Sequence, residues 1–155
     1  MSFSVTEISA LAAKAARGAG APAGQAARFG PVAARHMQAG RDAKVLTLAL
    51  DALPCGPIID LPRTLDAALT RAAPLVQADP LLQSYLDVLP FLATYQDDSG
   101  RLEVDRQRPA PVHTGRIRGY AALIAQMEQL AARTFVPDSA ASREAGAGAG
   151  LTDND

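Results

Sequence analysis

Ser4-Val5-Thr6-Glu7-Ile8-Ser9-Ala10-Leu11-Ala12-Ala13-Lys14-Ala15-Ala16-Arg17-Gly18 carries both the start and the stop signals of a helix. Ser4 and Glu7 have the S-x-x-E spacing of a capping box. In that motif the serine hydroxyl accepts from the backbone N–H three residues on, and the glutamate carboxylate accepts from the N–H of the cap. Phe3 and Ile8 flank the cap at the spacing of a hydrophobic staple. Ile8, Leu11, Ala12 and Ala15 share one face, with Lys14 and Arg17 outside it. Gly18 is expected to end the helix in a left-handed conformation. Alanine-rich faces let helices approach closely but bury little area per contact, so such a helix needs several partners. The next segments supply them. A second helix is expected from Pro22 to Ala39, kinked or split at Gly30-Pro31, because proline removes a backbone donor and crowds the preceding turn. Gly40 is the next stop. Asp42 caps a third helix to about Ala52, whose buried set is expected to be Val45, Leu46, Leu48, Ala49 and Leu53. The opening third therefore reads as a bundle of three short helices.

Pro54-Cys55-Gly56-Pro57 is a turn cluster. Ile58-Ile59 is too short to decide between strand and buried extended loop. Asp60-Leu61-Pro62 is expected to start a helix to about Ala72, ended by Pro74. Asp79-Pro80 starts another, with Leu81, Leu82, Tyr85, Leu86 and Leu89 on one stripe. Pro90 interrupts it, and Phe91 to Tyr95 are expected to add a further helical turn or two. Asp97-Asp98-Ser99-Gly100 is turn chemistry. Arg101-Leu102-Glu103-Val104-Asp105 then alternates polar and apolar, the pattern of a strand. A strand needs a partner; the candidates are Pro57 to Asp60, Val112 to Thr114, and Arg133 to Val136. The last helix is expected from about Arg116 to Ala132. Ile117, Tyr120, Leu123, Ile124, Met127, Leu130 and Ala131 form a stripe wide enough to dock on the domain and also to meet a second copy. The fold class is thus mainly α (α+β). A single globular domain over residues 1–137 combines the three-helix bundle, a small two- or three-stranded sheet and a long C-terminal amphipathic helix. Residues 138–155 form a Gly-rich acidic tail.

A chain of 155 residues suits one domain. Aromatic residues make up only 5% and there is no Trp, so Leu, Ile, Val and Ala must build the core. A net charge of −1 gives no broad field for nucleic acid or an anionic membrane surface. The single Cys55 excludes an intramolecular disulfide and a multi-cysteine zinc site. No signal peptide is visible, and no apolar run reaches the ~18 residues of a membrane helix. These features favour a cytoplasmic protein with no cofactor, metal, nucleic-acid or membrane partner.

Candidate functional groups concentrate late in the chain. Gly146-Ala147-Gly148-Ala149-Gly150 is followed by Leu151-Thr152-Asp153-Asn154-Asp155. Glycines at 146, 148 and 150 let a backbone pass close to a ligand or into a cleft. Ser139, Ser142, Arg143, Asp153 and Asp155 would bring donors and carboxylates to the same place. The alternative is a solvated tail, since chain ends fray. The run lacks the Lys and the helix start of a phosphate-binding loop. Arg106, Arg108, Arg116 and Arg118, with His113 among them, could bind a carboxylate or phosphate, or receive the acidic tail. A solvated loop explains them equally well. His36 and His113 lie far apart in sequence without metal-ligand spacing, and are expected at the surface or at caps. Cys55 reads as a buried or inert thiol.

Glu7-Ile8, Ala15-Ala16-Arg17-Gly18-Ala19-Gly20, Thr134-Phe135-Val136-Pro137, Ser142-Arg143 and the closing Gly146 to Asp155 together resemble an uncharacterised family of small proteobacterial proteins, catalogued as a domain of unknown function. The resemblance covers both ends of the chain and, more loosely, the helices between. It implies a shared tail and no particular activity. Two positions depart from it. Pro31 sits where relatives run an unbroken helix, and Ala140 sits where an acidic residue is expected, which weakens a carboxylate role beside Ser139. Two functions follow as expectations. One is a small binding or accessory protein whose tail docks on its own domain, on a second subunit (a homo-oligomer) or on a partner enzyme. The other is a small enzyme acting on an anionic metabolite, with Arg106, Arg116 and Arg143 holding it and Ser142, Glu144 or Asp153 handling protons.

Overall fold

The computed structural model describes residues 1–71 and 77–135. The first helix, α1, spans Val5–Gly18 with both halves of the capping box formed. Ser4 N–H donates to Glu7 Oε2 at 2.7 Å and Glu7 N–H to Ser4 Oγ at 3.2 Å. The Ser4 backbone N–H, with its hydroxyl, holds the Glu7 carboxyl below the ordinary glutamate value. Gly18 is the last helical residue and not the left-handed stop; that conformation belongs to Gly20, at φ +104°. Gly18 is instead required by a close crossing. A Cβ there would lie 1.8 Å from the Leu130 carbonyl oxygen.

Helix α2, Ala23–Gln38, runs through Pro31 without a split. Pro31 faces solvent, so water can serve the Ala27 carbonyl that loses its usual donor. Phe29, Gly30, Val32, Ala33 and Ala34 on the opposite side are buried and hold the helix in register. A Cβ on Gly30 would stand 2.5 Å from the Ser9 carbonyl oxygen, which measures how closely α2 crosses α1. Gly40 ends the segment at φ +69°.

Helix α3, Ala43–Asp51, is capped by Asp42, whose Oδ1 accepts from Lys44 N–H at 2.9 Å. Its buried residues are Leu46, Ala49 and Leu50, whereas Leu48 is exposed and Val45 and Leu53 are half-buried. The stripe is rotated by one position from the expected one because α3 rests on α6 and on α4, not on a closed three-helix neighbourhood. Helix α4, Pro57–Arg71, absorbs Ile58 and Ile59 into its first turn, with Pro57 at the position where a missing N–H costs nothing. Gly56 makes the entry turn at φ +82°.

Helix α5 is short, Leu82–Leu86. The expected extra turns at Phe91 to Tyr95 are instead strand β1, Leu92–Gln96, the partner that β2, Arg101–Asp105, requires. The pairing is antiparallel with Leu92 opposite Asp105 and Gln96 opposite Arg101. The turn between closes at Gly100, φ +63°. Among the described residues none of the three expected partners pairs with β2. The helical run already stops at Leu86, and a hairpin needs only the four-residue turn written at 97–100. The sheet has two strands among the described residues. A separate antiparallel bridge joins Phe3 to Ile117, with N–H to carbonyl distances of 3.0 and 2.9 Å.

The last helix, α6, spans Ala121–Ala132, shorter than expected because Gly115 and Gly119 take positive φ and turn the chain before it starts. Leu123, Ile124, Met127 and Ala131 bury its inner face against α1 and α3. One core runs through the domain, from Ile8 and Phe29 through Leu46 and Ile58 to Tyr85, Ile117 and Met127. The architecture is mainly α with a small two-stranded sheet.

Candidate functional site

The richest polar constellation joins the end of α2, the turn into α3 and helix α5. His36 lies in the last turn of α2 and is 1% exposed, so it is a core residue and not the surface group expected. Its Nε2 is 2.9 Å from the Asp42 carbonyl oxygen. A carbonyl only accepts, so Nε2 carries the proton and Nδ1 is left as the acceptor. Nδ1 is 2.9 Å from Ser84 Oγ, which therefore donates to it. Burial, with the Arg41 charge acting in the same direction, lowers the His36 pKa and favours this neutral form; the Asp42 carbonyl opposes them.

Arg41 Nη1 in turn donates to Ser84 Oγ at 2.8 Å, and Nη2 donates to Asp87 Oδ2. Asp87 is 3% exposed and also accepts from Gln83 Nε2 at 2.8 Å, while His113 Nε2 stands 3.6 Å from Oδ2. Tyr120 OH donates to the Arg41 carbonyl at 2.9 Å. Arg35 donates to the His113 carbonyl at 3.3 Å, and Gln38 to the Gly115 carbonyl at 3.0 Å. The irregular segment before α6 is thereby tied to α2 by polar contacts.

A serine hydroxyl donating to a neutral imidazole is the arrangement that activates a nucleophile. Here Ser84 is fully buried, and one of its two lone pairs already accepts from Arg41. A substrate cannot reach Oγ while these contacts hold, so the chain of bonds acts as a fixed polar strut.

Arg106 and Arg116 are held by separate partners. The Arg106 guanidinium stacks 4.9 Å from the centre of the Phe91 ring, at the base of the hairpin. Arg116 donates to Ser2 Oγ at 2.9 Å and to the Ser2 carbonyl at 2.8 Å, and lies 3.9 Å from Glu7. Arg106 thus packs at the hairpin, and Arg116 ties the segment before α6 to the start of the chain. Ser139, Ser142, Arg143, Gly146, Gly148, Gly150, Asp153 and Asp155 lie outside the described residues. Cys55 is exposed and not buried. Among the described residues no three His, Cys, Asp or Glu groups are placed to hold a metal ion, and no helix is long and apolar enough to cross a membrane.

A groove opens between α1 and α2. Ala13 of α1 and Ala23, Ala26 and Ala27 of α2 form its walls, and Lys14 and Arg17 of α1 its basic rim. Its volume is about 340 Å³, and Thr134, just beyond α6, completes the lining. Sequence reasoning missed this groove because it depends on how two alanine faces sit beside the end of α6. No family model, curated protein or solved structure matches this chain.

Proposed function

We propose that the chain is a small binding or accessory protein whose Gly-rich acidic tail docks on its own domain, in the groove between α1 and α2. The observation that carries this is the groove's composition at the place where α6 hands over to the tail. Walls made of alanine methyl groups admit a backbone at close range, and a Gly/Ala run is the sequence that can use such a space. Lys14 and Arg17 on the rim complement Glu144, Asp153 and Asp155. Reach is sufficient. The eleven residues after Phe135, up to Gly146, can extend to ~36 Å, against ~21 Å for the whole of α1. The exposed Phe135 beside Thr134 is a further apolar group that a docked tail would cover.

A cytoplasmic setting belongs to the same reading, because an exposed single cysteine suits a reducing compartment. The enzyme reading is weaker, since Arg106 and Arg116 do not converge and Ser84 is sealed. The test is removal of residues 146–155, followed by backbone amide NMR and thermal unfolding. Docking predicts shifts confined to Ala13, Lys14, Arg17 and residues 23–27, and a lower Tm, both independent of protein concentration. Shifts that depend on concentration would move the docking to a second subunit. An unchanged spectrum at the groove, with an unchanged Tm, removes the proposal.

A further inference from the structure

Beside that groove on α2, and sharing Ala27 with it, lies a second cavity, of about 410 Å³, lined by Ala27, Arg28 and Pro31 of α2, Leu65 of α4, Tyr85 of α5, and Val88 and Leu89. This volume falls within the ~300–1,000 Å³ of small-molecule sites. Its walls are apolar apart from two groups, Arg28 and the Tyr85 phenol. Tyr85 is 1% exposed, and among the described residues its hydroxyl is the buried side-chain polar atom with no hydrogen-bond partner. An orphaned buried donor is expensive, and folded proteins rarely keep one without use. Arg28 is already matched: Nη1 and Nη2 hold the two oxygens of Asp66 at 2.7 and 3.0 Å. Burial raises the Tyr85 pKa, Arg28 opposes that and Asp79 adds to it, so the phenol stays protonated and sits within the field of both charges.

From the orphaned phenol, the apolar walls and the neutralised guanidinium, we infer that this cavity binds a small uncharged molecule with an apolar body and one carbonyl oxygen, which accepts the Tyr85 O–H. The charge balance selects against an anion. Arg28, the cationic group of the lining, is paired with Asp66, and Asp79 contributes a further negative charge, so among the described residues that line the cavity no unpaired cation is left to hold a carboxylate. The hydroxyl is covered by its neighbours. Val88 and Leu89 are only half-buried and yield at the side-chain level when the ligand enters.

The test uses the full chain with acetophenone as the uncharged carbonyl probe, and benzoate and ethylbenzene as its charged and oxygen-free counterparts. The readout is the methyl resonances of Leu65, Val88 and Leu89. Acetophenone is expected to shift these resonances saturably, with benzoate and ethylbenzene each at least fivefold weaker. Tyr85→Phe is expected to weaken acetophenone about tenfold and to leave ethylbenzene unchanged, the effect of one hydrogen bond. Pro31→Phe, at an exposed position on the cavity wall, is expected to abolish binding by filling the space, and keeps the test decisive should Tyr85→Phe fold poorly. Failure of acetophenone to saturate, equal affinity for benzoate, or affinity unaffected by either variant would overturn the assignment.

Discussion

Replacing Asp87 by alanine removes the centre of the polar strut. The carboxylate is 2% exposed and receives Arg41, Gln83 and, at 3.6 Å, His113. Its loss leaves the Arg41 guanidinium with Ser84 Oγ as its remaining side-chain acceptor. Removing one partner of a buried ion pair costs about 3–5 kcal/mol, mostly because the other charge stays desolvated. Arg41 is 26% exposed, so water recovers part of that cost and the lower end, about 3 kcal/mol, is expected. For a domain of this size each kcal/mol moves Tm by roughly 2–4 °C, so the loss corresponds to about 6–12 °C. The assay is urea unfolding at pH 7 followed by far-UV circular dichroism, with the denaturant slope unchanged. Asp87→Asn keeps an acceptor oxygen and removes the charge, and about half the loss is expected. An Asp87→Ala protein within 1 kcal/mol of the parent would refute the view that this strut ties α5 and the 106–120 segment to α2.

Three further outcomes follow from the same structure. The depressed pKa of His36 means that the unfolded chain binds a proton at a pH where the folded one does not. Its contribution to stability is complete above about pH 6.5 and is lost as pH falls toward the folded value, at no more than ~1.4 kcal/mol per pH unit. Urea midpoints of the parent should fall more steeply between pH 6.5 and 5 than those of His36→Gln, and parallel curves would contradict this. Gly30→Ala puts a methyl group 2.5 Å from the Ser9 carbonyl and should destabilise by about 1–3 kcal/mol, read from the urea midpoint, whereas Gly24→Ala, with open space around it, should be neutral or slightly stabilising. Tyr85→Phe removes a hydroxyl that has no partner among the described residues, so the unliganded protein should be at least as stable as the parent.

Local signals explain which elements were legible in the sequence. The Ser4–Glu7 box and the Asp42 cap act within one helical turn, so they form as written. The β2 alternation is likewise local. Its partner was misread because Phe91-Leu92-Ala93-Thr94-Tyr95 follows a helical stripe, and the choice between one more turn and a strand is made by the hairpin it can form with residues 101–105. Of the kink or split expected at Pro31, the split does not occur, because the proline faces water while the buried side of α2 is held by α1. His36 offered no signal of burial. Ser84, the Asp42 carbonyl and Arg41 reach it across as many as 48 residues of sequence.

The order of the first helices, the Ser4 and Asp42 caps, the late strand and the alanine-rich faces are determined by the sequence alone, since each depends on groups within a few residues of one another. The tertiary structure decided which of the two histidines is buried, that Arg106 and Arg116 serve separate anchors, and that one tyrosine hydroxyl lacks an acceptor among the described residues. It also decided where the two grooves beside α2 open. These depend on distances between segments far apart in the chain, set by how closely Gly18 and Gly30 let three helices approach.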